Sequence, residues 1–246
     1  MELFINAFNT ILYHPLFNSL VLLYQYLPGR DFGVAVIVLT VIIRIILYPL
    51  MLQSIKAQKV MSELQPKIQE IQRKFKDDKE KQTKEMMAFY QKEKINPFGG
   101  CLPLLIQLPI LIALYQVFWK GLQSEQMVYL YSFVPNPGTI NPTFLGLINL
   151  AEPSLGLAVL AGISQFFQTK MLTPRQSKLG AGQAPKTKTP DFSQMMQKQM
   201  LYFFPIFTVF ILWKLPAAIG IYWLVTALFS IFQQYLVLKP SKQQYA

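Results

Sequence analysis

The sequence predicts an all-α polytopic membrane protein with five transmembrane helices, an outer interfacial amphipathic helix and a cytoplasmic helical hairpin. Apolar residues make up 52% of the 246 positions, more than the roughly 45–50% typical of soluble domains. Charged residues make up 14%, against a usual share of about 25%. Five apolar runs also reach or approach the roughly 20 residues that a helix needs to cross the hydrocarbon core.

The rest of the composition argues against several other classes of protein. One cysteine cannot form an internal disulfide framework or a cysteine-based zinc site, and one histidine argues against histidine-based metal or triad chemistry. An aromatic share of 14% separates the chain from basic disordered proteins, which are poor in aromatic residues. We therefore expect no metal site and no cofactor.

The first 31 residues are predicted to form an extracytoplasmic N-terminal segment. Asn6, Asn9, His14 and Asn18 are among the polar residues that interrupt its apolar pattern. Apolar side chains at helical spacing favour an amphipathic helix over residues 15–27, lying on the outer interface. The alternative is a sixth span with the N-terminus inside, in which these polar residues would face lipid at a cost.

The apolar runs are predicted to be spans joined by polar segments. The third and fourth runs are short, which implies local thinning of the bilayer. The predicted spans cover residues 32–52, 98–119, 154–170, 199–213 and 215–238. The connecting segments are a helical hairpin over 53–97, an extracytoplasmic loop over 120–153, a mobile loop over 171–198 and a tail over 239–246.

The distribution of charge predicts the orientation. The net charge of the chain is +11. Residues 53–97, 170–198 and 239–246 carry net charges of +4, +5 and +2, and the other residues sum to zero. Because basic loops stay in the cytoplasm, we expect the N-terminus outside and the C-terminus inside.

The two longer cytoplasmic segments differ in character. Apolar residues recur at helical spacing within 53–97 and predict two amphipathic helices joined by a short charged turn. Pro66 is expected to start a new helix, because proline is favoured in a first turn and unfavourable inside a helix. Residues 171–198 are rich in Pro, Gly, Lys and Thr, which predicts a mobile loop.

Arg44 is the strongest candidate for a functional residue. It lies about 18 Å along the first span at 1.5 Å per residue, where an arginine costs about 2.5–3.5 kcal/mol on insertion scales. None of the 12 acidic residues lies inside a predicted span, so we expect polar side chains to surround Arg44 in a hydrated cavity open to the cytoplasm. The candidates are Thr40, Gln107, Ser164, Gln165, Gln168, Thr208, Tyr222, Thr226 and Ser230. The alternative is that Arg44 reaches to the cytoplasmic interface and that the polar residues only pack helices together.

Catalytic chemistry has little support in the sequence. The predicted spans contain neither His nor Asp, so the base of an intramembrane serine protease and the carboxyl pair of an aspartyl protease are missing. A glycine-rich phosphate loop of the G-x-x-x-x-G-K kind is also absent. We predict that the protein is not an enzyme.

Three long motifs resemble the YidC/Oxa/Alb family of membrane protein insertases. They are TVIIRIILYPLMLQSIKAQKVMSELQPKIQEI at 40–71, NPFGGCLPLLIQLPILIALYQVF at 96–118 and FPIFTVFILWKLPAAIGIYWLVTALFSIFQQ at 204–234. The resemblance implies a five-helix core in a bacterial plasma membrane, with a hydrophilic groove around Arg44 that is open to the cytoplasm and to lipid. It also implies that a polar, often acidic, stretch of a nascent membrane protein enters the groove transiently. Thr40, Arg44, Tyr222 and Trp223 match positions implied in substrate contact, although Trp223 stands where some members have Tyr.

The leading hypothesis is therefore a membrane protein insertase and folding factor. Its predicted groove residues are Thr40, Arg44, Gln107, Gln165, Tyr222, Trp223 and Thr226. Expected partners are nascent membrane proteins and membrane lipids, with the ribosome and a Sec-type translocon as candidates and no specific nucleic acid. One rival is a small-anion channel or transporter with Arg44 as its selectivity charge. Another is a scaffold whose basic loops hold a ribosome or anionic lipid.

Overall fold

A computed structural model of the chain describes residues 2–96, 99, 102–173 and 199–238, which are mostly helical. The N-terminal part contains α1 (Glu2–Phe8), a π-helical turn (Asn9–Tyr13), α2 (His14–Tyr26) and a 3₁₀ turn (Pro28–Arg30). Next come α3 (Phe32–Ile46), α4 (Tyr48–Lys74), α5 (Lys79–Lys92) and α6 (Leu102–Lys120). The remainder contains a 3₁₀ turn (Ser124–Tyr129), β1 (Thr143–Phe144), β2 (Ile148–Asn149), α7 (Leu155–Leu172), a second π-helical turn (Gln199–Phe203), α8 (Phe204–Leu212) and α9 (Ala217–Leu238). Most of the predicted mobile loop and the whole predicted tail lie outside the described residues.

The core forms where α9 packs against α7 and α3, and α8 packs against α7. The first turns of α9 are fully buried, and small buried residues on α7, Ala158, Ala161 and Gly162, let the helices approach closely. The helices also expose large apolar side chains, since Ile206 is 70% exposed and Phe210 60%. A closely packed interior with an apolar exterior is the arrangement expected of helices in lipid.

The lengths and apolar composition of several helices support a membrane protein. Two helices, α7 and α9, are long and apolar enough to cross a membrane. The bent pair α3 and α4 adds a third candidate if it counts as one span. Residues Leu105–Lys120 and Gln199–Leu212 form shorter apolar helices. The predicted all-α membrane class is consistent with these helices, while the count of five spans stays a prediction.

The first predicted span bends sharply instead of continuing as one helix to residue 52. The axes of α3 and α4 differ by 66°, and the break lies at Leu47, between Ile46 and Tyr48. Pro49 occupies the first turn of α4. Because proline has no N–H, it cannot extend the hydrogen-bond ladder of α3. The helix that carries Arg44 therefore ends at Ile46.

The helices α4 and α5 pack together in the region where the sequence predicts a hairpin. The Nζ atom of Lys67 lies 3.9 Å from the carboxylate of Glu93. Pro66 lies inside α4, so the expectation that it starts a new helix is wrong. Ile68, two residues later, is buried, and its packing holds the helix continuous across the one hydrogen bond that Pro66 cannot donate.

Asp31 fixes the start of α3 and ties it to the loop between α6 and α7. Its Oδ1 accepts a hydrogen bond from the Val34 N–H at 2.8 Å, and its Oδ2 accepts one from the Leu145 N–H at 2.5 Å. We expect Asp31→Ala to lower the free energy of unfolding by about 1–2 kcal/mol, the typical cost of losing an N-cap. Denaturant unfolding in detergent would measure this loss. Asp31→Asn keeps an acceptor oxygen and should retain more stability, and an alanine variant as stable as the parent would contradict the role of Asp31.

Candidate functional site

Arg44 lies in the last turn of α3, and its side chain turns into the helix bundle, where it is 5% exposed. Its Nη2 donates a hydrogen bond to Oε1 of Gln107 on α6 at 3.1 Å. Its Nε donates to Oγ1 of Thr226 on α9 at 3.4 Å. The guanidinium group therefore lies where three helices meet, and not at the end of an extended side chain reaching for the interface.

The hydrogen-bond partners of Arg44 are neutral. Within the described residues, the contact between Lys67 on α4 and Glu93, directly after α5, is the single ion pair, and no carboxylate contacts Arg44. Neutral partners satisfy the donors of a guanidinium group but leave its charge uncancelled. The site consequently carries a positive potential inside a largely apolar helix bundle.

Two further hydrogen bonds fix the side chains around Arg44. The Nε2 of Gln107 donates to the hydroxyl of Tyr222 while its Oε1 accepts from Arg44, so both ends of its amide are engaged. The Nε1 of Trp223, the next residue on α9, donates to Oε1 of Gln165 on α7 at 2.8 Å. The arrangement of these side chains is thereby set by α3, α6, α7 and α9 together.

A cavity of about 250 Å³ lies beside Arg44, and we call it the Arg44 cavity. Five of the predicted groove residues line it, namely Arg44, Gln107, Gln165, Trp223 and Thr226. Gln58, Gln168, Ser230, Gln233 and Gln234 also line it, together with apolar residues that include Met51, Ile55 and Phe204. Arg44 is the one charged residue among the described residues of this lining.

Two of the predicted groove residues do not line the cavity. Thr40 and Tyr222 are each 1% exposed. The hydroxyl of Thr40 donates to the Val36 carbonyl of its own helix at 2.6 Å, so its hydrogen-bond donor is already engaged. Tyr222 contributes through Gln107, which it helps to hold in place.

A family model described as 60Kd inner membrane protein matches residues 22–244 of the chain, which is most of its length. The chain belongs to this family. The resemblance to YidC/Oxa/Alb proteins that the three motifs indicate is confirmed.

The relatives in the 60Kd inner membrane protein family differ in length. The membrane protein insertase YidC of Fusobacterium nucleatum subsp. nucleatum is 34% identical over 209 residues, covering 85% of this chain and 87% of that protein. The protein of the same name in Rickettsia rickettsii strain Sheila Smith is 32% identical over 238 residues, covering 93% of this chain but 39% of the relative. In Geobacter metallireducens it is 33% identical over 222 residues, covering 89% of this chain and 35% of the relative. The chain thus spans most of the first relative and about two fifths or less of the other two.

Three glutamines that line the Arg44 cavity were not among the residues predicted from the sequence. Gln233 and Gln234 follow Thr226 and Ser230 at a spacing of three to four residues, so helical periodicity alone would have placed them on the same face of α9. Gln58 lies on α4, and no pattern in a straight first span would have brought it to the cavity. The Nε2 of Gln233 donates to the Tyr48 carbonyl at 3.1 Å, which holds α9 against the start of α4 just beyond the bend.

The lining of the Arg44 cavity is chemically suited to polar contacts and not to metal coordination. Its polar side chains are carboxamides and hydroxyls, apart from Arg44 and the indole of Trp223. Within the described residues, no group of three or more His, Cys, Asp and Glu side chains is arranged to hold a metal ion. The arrangement can hydrogen-bond a polypeptide segment and attract negative charge.

Proposed function

We propose that the chain is a membrane protein insertase that receives polar segments of nascent membrane proteins in the Arg44 cavity. One observation carries this proposal: Arg44 is 5% exposed, its side-chain hydrogen bonds within the described residues go to the neutral side chains of Gln107 and Thr226, and it faces a cavity lined by carboxamide, hydroxyl and apolar side chains. Because these partners are neutral, the positive charge of Arg44 can still attract an acidic segment. The name of the relatives, membrane protein insertase, supports the same function.

The proposed mechanism involves no covalent step. A hydrophilic, often acidic, stretch enters the cavity, where Arg44 attracts its charge and the carboxamides replace water around its polar groups. The following apolar segment then passes into lipid. Burial of about 20 apolar residues supplies the driving force, so no nucleotide hydrolysis is required.

The proposed topology is that of a multi-pass protein of the bacterial plasma membrane. Five spans would run from an outer N-terminus to a cytoplasmic C-terminus, with α4 and α5 forming a cytoplasmic hairpin that recruits substrates. The concentration of the +11 charge in residues 53–97, 170–198 and 239–246 supports this orientation. Residues 1–31 would lie on the outer interface.

Nascent membrane proteins and lipids are the partners that this proposal requires, and the ribosome and a Sec-type translocon are candidates for delivery. The proposal makes the chain a non-enzymatic factor. The rival function of a small-anion channel gains no support, because the three relatives are named as insertases and none as a channel.

Photo-crosslinking to a stalled nascent membrane protein tests this proposal. A photoreactive residue at Gln165 or Gln168, which line the Arg44 cavity from α7, should crosslink strongly to a polar segment of the nascent chain. Ile163 provides a matched control, since it lies on the same helix, is 49% exposed and does not line the cavity. We expect the two glutamine positions to give crosslinks several-fold stronger than position 163. Equal crosslinks from all three positions, or crosslinks only from α4 and α5, would overturn the proposed route.

A further inference from the structure

A second cavity, of about 420 Å³, lies at the opposite end of α6 from the Arg44 cavity. Gln107 near the start of α6 lines the first cavity, and Gln116 and Lys120 near its end line the second. The 19 residues of α6 separate its two ends by about 28 Å. The other walls come from α1, the first π-helical turn, the start of α2 and the 3₁₀ turn after α6. We call this space the outer cavity.

Every residue that lines the outer cavity carries a polar side-chain group, which is unusual for a protein so rich in apolar residues. Among the described residues of this lining, Lys120 is the one formally charged residue, and none is a carboxylate. Within the described residues, the ammonium group of Lys120 has no ion-pair partner. The amides of Asn6 and Gln116 and the hydroxyl of Thr10 add hydrogen-bond donors to the same space.

Several contacts fix this wall in place. The hydroxyl of Tyr13 donates to Oε1 of Gln126 at 2.8 Å, which joins the N-terminal helices to the 3₁₀ turn. The ring of His14 stacks on that of Tyr129, with 5.1 Å between their centroids. The N–H of His14 bonds to the Asn9 carbonyl and closes the π-helical turn, an irregularity often found at functional sites. The cavity is consequently preformed.

The aromatic residues beside Lys120 indicate its level in the membrane. Trp119 is 55% exposed and stacks on Tyr115 with 5.9 Å between ring centroids. Exposed Trp and Tyr residues at the ends of membrane helices gather at the level of the lipid headgroups. On this basis we expect the outer cavity at headgroup level.

We infer that the outer cavity binds a phosphate group, and its level favours the headgroup of an anionic phospholipid as the source. A phosphate offers several acceptor oxygens and negative charge. An unpaired lysine, neighbouring amide and hydroxyl donors, and a lining without carboxylates match both properties. The site is separate from the Arg44 cavity and does not depend on the proposed insertase function.

Binding of defined lipids to the purified full chain in detergent, followed by native mass spectrometry, tests this inference. Phosphatidylglycerol should bind, and diacylglycerol with the same acyl chains, which lacks the phosphate, should bind much more weakly. Lys120→Gln should weaken phosphatidylglycerol binding by about tenfold, because it removes a charge-assisted hydrogen bond. Lys214→Gln is the matched control: Lys214 also follows a tryptophan at the end of an apolar helix, with its Nζ 4.8 Å from the Trp213 ring centroid, but it does not line the cavity.

The other outcomes distinguish a lipid from a soluble source of the phosphate, or show that the outer cavity does not bind phosphate. Soluble glycerol phosphate is tested in parallel, and binding of it that depends on Lys120 supports the phosphate site with a soluble source. Equal binding of phosphatidylglycerol and diacylglycerol, or equal loss in the two lysine variants, would overturn the inference. Gln116→Leu provides a second cavity variant with the same expected direction if Lys120→Gln does not fold. Because insertion activity is not the readout, failure here leaves the insertase proposal unaffected.

Discussion

Arg44→Ala is expected to lower the insertion of a substrate with an acidic polar segment by roughly ten- to a hundredfold. Arg44 is the one charged residue among the described residues that line its cavity, so the substitution removes the positive potential of the site. Hydrogen bonds to charged groups contribute about 1.5–3 kcal/mol, and each 1.4 kcal/mol corresponds to about a factor of ten. Protease protection of a single-span substrate inserted into proteoliposomes would measure the effect.

The identity of the replacement separates charge from shape. Arg44→Lys should retain most of the activity if positive potential is what the site supplies, even though lysine cannot reproduce both guanidinium contacts. A substrate whose polar segment carries no acidic residue should lose less activity in Arg44→Ala than the acidic one. Equal activity of the parent and both variants on the acidic substrate would show that Arg44 is dispensable.

Gly162→Val is expected to destabilise the protein by about 3 kcal/mol, at the upper end of the range for overpacked interiors. A Cβ atom at Gly162 would overlap the side chain of Val209 on α8 and lie 3.1 Å from the backbone carbonyl oxygen of Pro205. The backbone oxygen cannot rotate away as a flexible side chain can. The small gain in helix propensity from replacing glycine, a few tenths of a kcal/mol, does not offset this clash. Denaturant unfolding in detergent would measure the loss.

Gly156→Val is the matched control on the same helix. Gly156 is exposed, and the nearest atom to a Cβ placed there is Oγ of Ser154 at 4.0 Å. Its stability should stay within about 0.5 kcal/mol of the parent, as for most surface substitutions. Similar losses of stability in both variants would show that valine destabilises α7 at any position, and that the packing of α7 against α8 is not the cause.

Local signals in the sequence predicted an all-α membrane class, with which the helices are consistent, and they singled out Arg44 as the centre of the candidate site. Apolar runs indicated membrane helices because length and hydropathy are properties of each segment alone. Arg44 stood out because a cation inside such a run requires an explanation. Its partners Gln107 and Thr226 were among the nine polar candidates that the predicted spans offer without knowledge of the packing.

The features that the sequence did not predict depend on how the helices pack against one another. The 66° bend at Leu47 depends on where α4 packs, and it brings Gln58 to the cavity. Pro66 remains within α4 because the packing of the helix outweighs one missing hydrogen bond. Thr40 shares a helix face with Arg44, yet it is buried, and its hydroxyl donates to the Val36 carbonyl of the same helix. Helical periodicity cannot distinguish a residue that faces a cavity from one that faces a neighbouring helix.

The six glutamines of the Arg44 cavity have a consequence for which segments it can accept. Gln58, Gln107, Gln165, Gln168, Gln233 and Gln234 all line it. A glutamine side chain carries the same amide group as a peptide bond, with donors and an acceptor together. Gln107 is engaged at both ends of its amide, and the amide groups that are not so engaged can form hydrogen bonds with a polypeptide backbone whatever its side chains. If the proposed function holds, Arg44 is the residue of this lining that would favour acidic segments over neutral or basic ones.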